Sequence, residues 1–163
     1  MGTIEDQDVV TLRDVTVDDL PLFFQHQLDP EAVWMAAFGV AGVRDWDEFA
    51  AHWARSLSDN TRVAKAVLWN GQVAGNVSSF VLFGDPAVGY WIGREYWGKG
   101  IATRALAAFL EVVTVRPIYA RAAMDNIGSR RVLEKCGFVV IGEDVGYARA
   151  RGAEIDEVVL RLD

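Results

Sequence analysis

The stretch Tyr96-Trp97-Gly98-Lys99-Gly100-Ile101-Ala102-Thr103 sets two glycines around a lysine where an extended apolar segment gives way to a helical pattern. The first-turn amides of a helix have no intrahelical partner and stand at the positive end of its dipole, so a loop of this kind suits a phosphate. Glycine at 98 and 100 leaves out the Cβ atoms that would hold an anion off the backbone. A lone Gly-x-Gly is equally a plain tight turn, and its specificity alone is low. Asn126 and Ser129 form a second polar group, one turn apart at the start of a short helical pattern, where Asn126 also reads as a helix cap. The single cysteine, Cys136, stands before Gly137 at the end of that pattern and reads as a small buried hydrophobe rather than a nucleophile. His26 and His52 have no neighbouring ligands at recognised spacings, so no metal site is expected.

The elements that must position these residues follow in order. Val9 to Arg13 reads as a first strand, and Thr16 with Asp19 opens a helix carrying Leu20, Phe23, Phe24 and Leu28, which Asp29-Pro30 ends. Glu31 to Gly42 is an unusually apolar connection, either a loop over the core or part of a substrate pocket. Asp45 and Glu48 start a second helix with Trp46, Phe49, Trp53 and Leu57 on one face. Val63 to Trp69, the turn Asn70-Gly71 and Gln72 to Phe83 make a hairpin, and Gly84-Asp85-Pro86 is expected to reverse the chain into the strand Val88 to Gly93. After the glycine loop come a helix from Ile101 to Val113, a fifth strand Ile118 to Ala123 in a right-handed parallel crossover, and the helix Asn126 to Cys136 capped by Gly137. A strand from Phe138 to Glu143, a loop from Gly146 to Ala153 and a last strand Glu157 to Leu162 complete a mixed α/β order.

The 163 residues, 52% hydrophobic and 24% charged, fit a single domain over 1–163 with one core and no membrane-spanning run. The acidic start, Glu5-Asp6-Gln7-Asp8, lacks a signal sequence, and one cysteine suits a reducing compartment, so a cytoplasmic location is expected. A formal charge of −7 disfavours nucleic acid and favours a cationic small molecule or basic peptide.

With these residues placed, the chain resembles the GNAT superfamily of acyl-CoA-dependent N-acetyltransferases, and most closely the branch that acetylates ribosomal-protein N-termini. Tyr90-Trp91-Ile92 followed by Tyr96 to Thr103 is similar to the superfamily's pyrophosphate motif, with Trp97 in its Gln/Arg place. Asn126-x-x-Ser129 followed by Arg131-Val-Leu-Glu-Lys-Cys-Gly-Phe138 resembles the second signature of that branch. The resemblance covers nearly the whole chain and implies a GNAT-type fold: a central mixed, mostly antiparallel sheet of six or seven strands, about four helices, and fourth and fifth strands that splay apart.

The resemblance further implies acetyl-CoA as the acyl donor, with no metal. Its pyrophosphate would take amides from Gly98, Lys99, Gly100, Ile101, Ala102 and Thr103, with Trp97 and Arg131 further cofactor contacts. Its pantetheine arm would pair with the backbone of Tyr90, Trp91 and Ile92 as an added strand does. Asn126 would reach the arm from the opposite side, Ser129 would point its hydroxyl at the sulfur, and the Ile92 N–H would hold the oxyanion. The tyrosine that protonates the leaving thiolate in many members is replaced here by Leu133. Glu31, Asp85 and Glu95 are candidates for the base, beside a bound water. The expected function is acetyl transfer to a primary amine by direct attack in a ternary complex, with a non-catalytic acyl-CoA sensor as the alternative. The acceptor, a small-molecule or peptide amine, and the oligomeric state, monomer or homodimer, are left open.

Overall fold

The computed structural model describes residues 8–38 and 45–163. The expectations for the N-terminal stretch before Asp8, and for the end of the apolar connection at Gly39 to Gly42, lie outside the described residues. Seven strands form one sheet: β1 (Val10–Asp14), β2 (Val63–Trp69), β3 (Gln72–Leu82), β4 (Asp85–Ile92), β5 (Ile118–Ala123), β6 (Val139–Ala148) and β7 (Ala153–Leu162). Their spatial order is β1-β2-β3-β4-β5-β7-β6. Every neighbouring pair is antiparallel except β4 with β5.

That exception organises the molecule. β3 and β4 pair from Leu82↔Asp85 to Gly75↔Ile92, whereas β4 and β5 meet at the single pair Ala87↔Tyr119. Beyond that bridge the two strands diverge, as expected, and leave a wedge-shaped gap with the C-terminal half of β4 as one wall. The asymmetry begins in the connections. Asn70 and Gly71, at φ 51° and 82°, make a two-residue turn that sets the β2–β3 register, and Phe83 with Gly84, at φ 52° and 83°, does the same for β3–β4. The β4–β5 connection instead carries α4 (Ile101–Val112), because parallel strands need a crossover.

Helices cover both faces. α4 and α5 (Ile127–Lys135) bury Ile101, Leu106, Phe109 and Leu133 against Val67, Val77, Val88, Ile118 and Leu160 of the sheet. On the other face α1 (Leu20–Leu28) and α3 (Trp46–Ser58) bury Leu20, Phe23, Phe49 and Trp53 against Ala66. Adjacent Ala66 and Val67 thus belong to opposite cores, as the alternation of a strand requires. Asp19, only 5% exposed, accepts both guanidinium nitrogens of Arg13 at 2.7 and 2.8 Å and the Thr16 N–H at 2.9 Å, so the capping pair read from sequence also pins the helix entry to β1. The Arg13 guanidinium holds this carboxyl below the ordinary range.

Three expectations need correction. The apolar connection contains a further helix, α2 (Pro30–Ala36), so the described residues hold five α-helices rather than about four. Asp29-Pro30 ends α1 and also starts α2: the Asp29 carboxylate accepts the Glu31 and Ala32 N–H groups at 3.0 and 3.1 Å, and Pro30 occupies the first turn, where its missing N–H costs nothing. Phe83 and Gly84 make the reversal expected of Gly84-Asp85-Pro86, and Asp85 and Pro86 already pair with Leu82 and Val81. The final strands are longer than their patterns suggested, β6 running on to Ala148 and β7 starting at Ala153, because cross-strand pairing of these polar segments extends both.

Candidate active site

Gly98 and Gly100 adopt φ of 75° and 76°, the left-handed region in which a side chain is strained. A Cβ on Gly98 would meet no protein atom within 4 Å, so backbone conformation and an open approach, rather than crowding by the protein, call for glycine there. The first intrahelical bond of α4 runs from Arg104 N–H to the Gly100 carbonyl at 3.2 Å, which leaves the Ile101, Ala102 and Thr103 amides ahead of it without helical partners. Arg104 braces the loop from within, donating to the carbonyls of Lys99 at 2.9 Å and Gly100 at 3.3 Å and pairing with Asp8 at 2.8 Å. The Lys99 ammonium lies over the Trp69 ring at 5.4 Å. The Trp97 indole N–H donates to the Ile92 carbonyl at 2.8 Å, fastening the loop to the end of β4.

That bond bears on the gap between β4 and β5. Gly93 N–H donates to the Ala74 carbonyl at 2.9 Å, and antiparallel bonding alternates, so Trp91 and Gly89 also spend their backbone groups on β3. Tyr90 and Ile92 therefore turn theirs to the gap. Trp91, expected to offer backbone to the cofactor, is corrected: its amide and carbonyl belong to the sheet, and the residue lines both of the cavities described below. With the Ile92 carbonyl held by Trp97, the Ile92 N–H is the polar group this residue presents to the gap.

α5 brings the second motif to the same place. Asn126 caps the helix, its Oδ1 accepting Ser129 N–H at 3.2 Å, while its Nδ2 donates to the Met35 carbonyl of α2 at 3.2 Å. The capping role is thus present, together with a tie across the site. The Ser129 hydroxyl stands 2.8 Å from the Tyr90 phenol oxygen. Burial, the largest influence, pushes the Tyr90 phenol up to about 12 against the smaller opposing effect of the Ser129 bond. Leu133 is 1% exposed and closes the core beneath them. Arg131 is exposed, lines the same cavity and makes no ion pair among the described residues. Cys136 is half-buried, its Sγ 3.4 Å from the Thr103 carbonyl, and burial pushes its thiol up. It should therefore react slowly with a thiol-directed reagent under native conditions, and Cys136→Ala should retain turnover; rapid inactivation together with an inactive alanine variant would contradict this.

A cavity of about 1250 Å³ joins the glycine loop, the gap and α5. A second, of about 390 Å³, lies under α3, and Phe38, Phe80, Gly89, Tyr90 and Trp91 line both. Of the candidate bases, Asp85 lines the larger cavity, whereas Glu31 and Glu95 line neither and Glu31 is held by Arg94 at 2.5 Å. Sequence reasoning missed His52 and Glu48, one turn apart on α3 in the smaller cavity. Burial first, then the Arg62 and Arg55 charges, push the His52 imidazole down, so the neutral form prevails. It also missed the tip of β6: a Cβ on Gly146 would lie 3.0 Å from the Phe38 ring, and only the pairing of β6 with β7 carries that residue to the cavity. Among the described residues no three His, Cys, Asp or Glu gather to hold a metal, and no helix is long and apolar enough to cross a membrane.

Residues 10–139 match the acetyltransferase (GNAT) domain model, and the chain belongs to that family. Among curated proteins it is similar to the putative ribosomal N-acetyltransferase YdaF of Bacillus subtilis, 31% identical over 98 residues covering 56% of this chain and 54% of that protein. The chain spans about half the length of the curated relatives it matches. Its fold is shared with the spermidine N-acetyltransferase of Vibrio cholerae, solved with CoA and spermine, at a TM-score of 0.81 and 20% identity over 94% of each chain. RimJ of Mycobacterium smegmatis, solved with CoA-disulfide, superimposes at 0.77 with 23% identity over 94% of this chain and 81% of that one.

Proposed function

We propose that this protein is an acetyl-CoA-dependent N-acetyltransferase that passes an acetyl group to a primary amine by direct attack within a ternary complex. One observation carries the reading: the diverging strands β4 and β5 turn the Tyr90 backbone groups and the Ile92 N–H to the gap without a strand partner, beside a helix whose first amides are also free. A thioester carrying a pyrophosphate and two amides along its arm suits both sets of donors at once. Gly98 to Thr103 would take the pyrophosphate, Tyr90 and Ile92 the arm, and Arg131 a further phosphate. The Ile92 N–H would stabilise the charge that develops on the thioester oxygen, and Ser129 the charge on the departing sulfur.

The amine would approach through the smaller cavity, on the far side of Trp91, where neutral His52 and nearby Glu48 can take its proton directly or through water. Holding amine and thioester together would supply much of the acceleration. A net charge of −7 favours a cationic acceptor, either a small molecule or a peptide, in the cytoplasm. The rival, a non-catalytic acyl-CoA sensor, draws on Leu133 standing where many members carry a tyrosine. An amine panel read by thiol release and by mass shift separates the two: amine-dependent release of CoA with a matching acetylated product supports the enzyme. Tight binding of acetyl-CoA without turnover of any amine supports the sensor.

A further inference from the structure

We infer that Tyr90 is a positioning residue for the Ser129 hydroxyl, its phenol donating to Ser129 Oγ so that the serine proton is turned toward the departing sulfur. The inference rests on the acetyl-transfer reading proposed above. The phenol proton has two acceptors within reach, Ser129 Oγ at 2.8 Å and the Ser129 carbonyl at 3.2 Å, and Oγ is the nearer. A serine hydroxyl has one proton. If Ser129 donates to Tyr90, that proton is spent within the protein; if Tyr90 donates to Ser129, it is free to face the cavity that both residues line. Negative charge growing on sulfur selects the second arrangement, because a donor aimed at an anion is worth more than one aimed at a neutral oxygen.

The surroundings keep the pair in register. Tyr90 packs against the α4–α5 core between Val88 and Ile92, on the same face of β4, and burial keeps its phenol protonated across the neutral range. Ser129 is fixed from the other side by the Asn126 cap. At the position where the resembling family carries its phenol this chain has a buried leucine, Leu133, and the phenol enters the same cavity from a strand instead. In the step itself the amine nitrogen bonds to the thioester carbon and the C–S bond breaks with its electron pair on sulfur. The surplus amine proton leaves to base or solvent, and Ser129 and Tyr90 keep theirs, acting only as hydrogen-bond donors.

The test compares wild type, Tyr90→Phe, Ser129→Ala and the double variant with two acyl donors, acetyl-CoA and 4-nitrophenyl thioacetate. With acetyl-CoA, Tyr90→Phe should lower kcat on the order of tenfold with KM for acetyl-CoA held within about twofold, and should cost little further in the Ser129→Ala background. With the aryl thioester, whose weakly basic thiolate needs no donor, both variants should match wild type, which a distorted site would not. Equal losses with both donors, or losses that multiply in the double variant, overturn the assignment. Should Tyr90→Phe not fold, 3-fluorotyrosine at position 90 strengthens the donor and keeps the shape: a rate change confined to acetyl-CoA supports the inference, and no change or a parallel change overturns it. Absence of amine-dependent thiol release from wild type overturns the activity reading and this inference together. Wild-type turnover with an undiminished Tyr90→Phe enzyme overturns this inference alone.

Discussion

Ser129→Ala is expected to lower kcat for acetyl transfer by about tenfold to somewhat over a hundredfold while leaving the dissociation constant for acetyl-CoA nearly unchanged. The hydroxyl meets charge only as the C–S bond breaks, and one hydrogen bond to a charged group is worth roughly 1.5 to 3 kcal/mol. Removing it also strips Tyr90 of its 2.8 Å partner, although the Ser129 carbonyl, 3.2 Å away, can still accept the phenol proton, so the fold should be little affected. Asn126→Ala should behave differently. Its side chain caps α5 and holds the Met35 carbonyl of α2, so its loss should cost about 1 kcal/mol of stability and raise the acetyl-CoA requirement more than it lowers kcat. Steady-state kinetics with separate calorimetric affinities distinguish the two. A Ser129→Ala enzyme with full turnover at saturating acetyl-CoA would remove the serine from the mechanism and leave water or the substrate to stabilise the sulfur.

Gly100→Val should reduce acetyl-CoA affinity on the order of a hundredfold. A branched side chain would stand at the entrance to the free amides of α4, and losing two charge-assisted contacts to the pyrophosphate is enough for that change. The residue's φ of 76° means that valine also strains the backbone, at about 1 to 2 kcal/mol. Gly71→Val supplies the control: that glycine, at φ 82° in the β2–β3 turn with no atom within 4 Å of its Cβ position, carries the same strain away from the site. Both variants should melt earlier, and only Gly100→Val should lose affinity in a calorimetric titration. Dephospho-CoA should still bind wild type, since the loop is assigned the pyrophosphate rather than the ribose phosphate. Equal affinities for Gly71→Val and Gly100→Val would contradict the phosphate assignment.

How much of this was legible beforehand follows from the range of the forces involved. The Asn70-Gly71 turn, the capping residues Thr16, Asp19 and Asp45, Gly100 at the start of α4 and Gly137 after α5 act within a few residues of themselves. Residue type alone therefore placed the elements. Asp29-Pro30 stops α1 as read, but the same dipeptide starts the next helix, and composition without a clear period hid α2. The glycine loop and the Asn126-x-x-Ser129 pair could be named from their spacing, because each lies on one continuous segment.

Tertiary structure alone decided what those segments face. The alternation of β4 against β3 assigns the gap to Tyr90 and Ile92 and withholds the Trp91 backbone, a distinction set by pairing register that spacing along one strand cannot carry. Met35 to Asn126, His52 to Trp91 and Gly146 to Phe38 join residues distant in sequence, where no periodic pattern extends. Tyr90 is the sharpest case: in the sequence it is an aromatic residue of a strand, and its phenol meets Ser129, thirty-nine residues on, only because the splay of β4 from β5 lets α5 descend beside it. Local propensity and motif spacing determined the elements and the family they resemble, while long-range packing determined which atoms of those elements share the cavity.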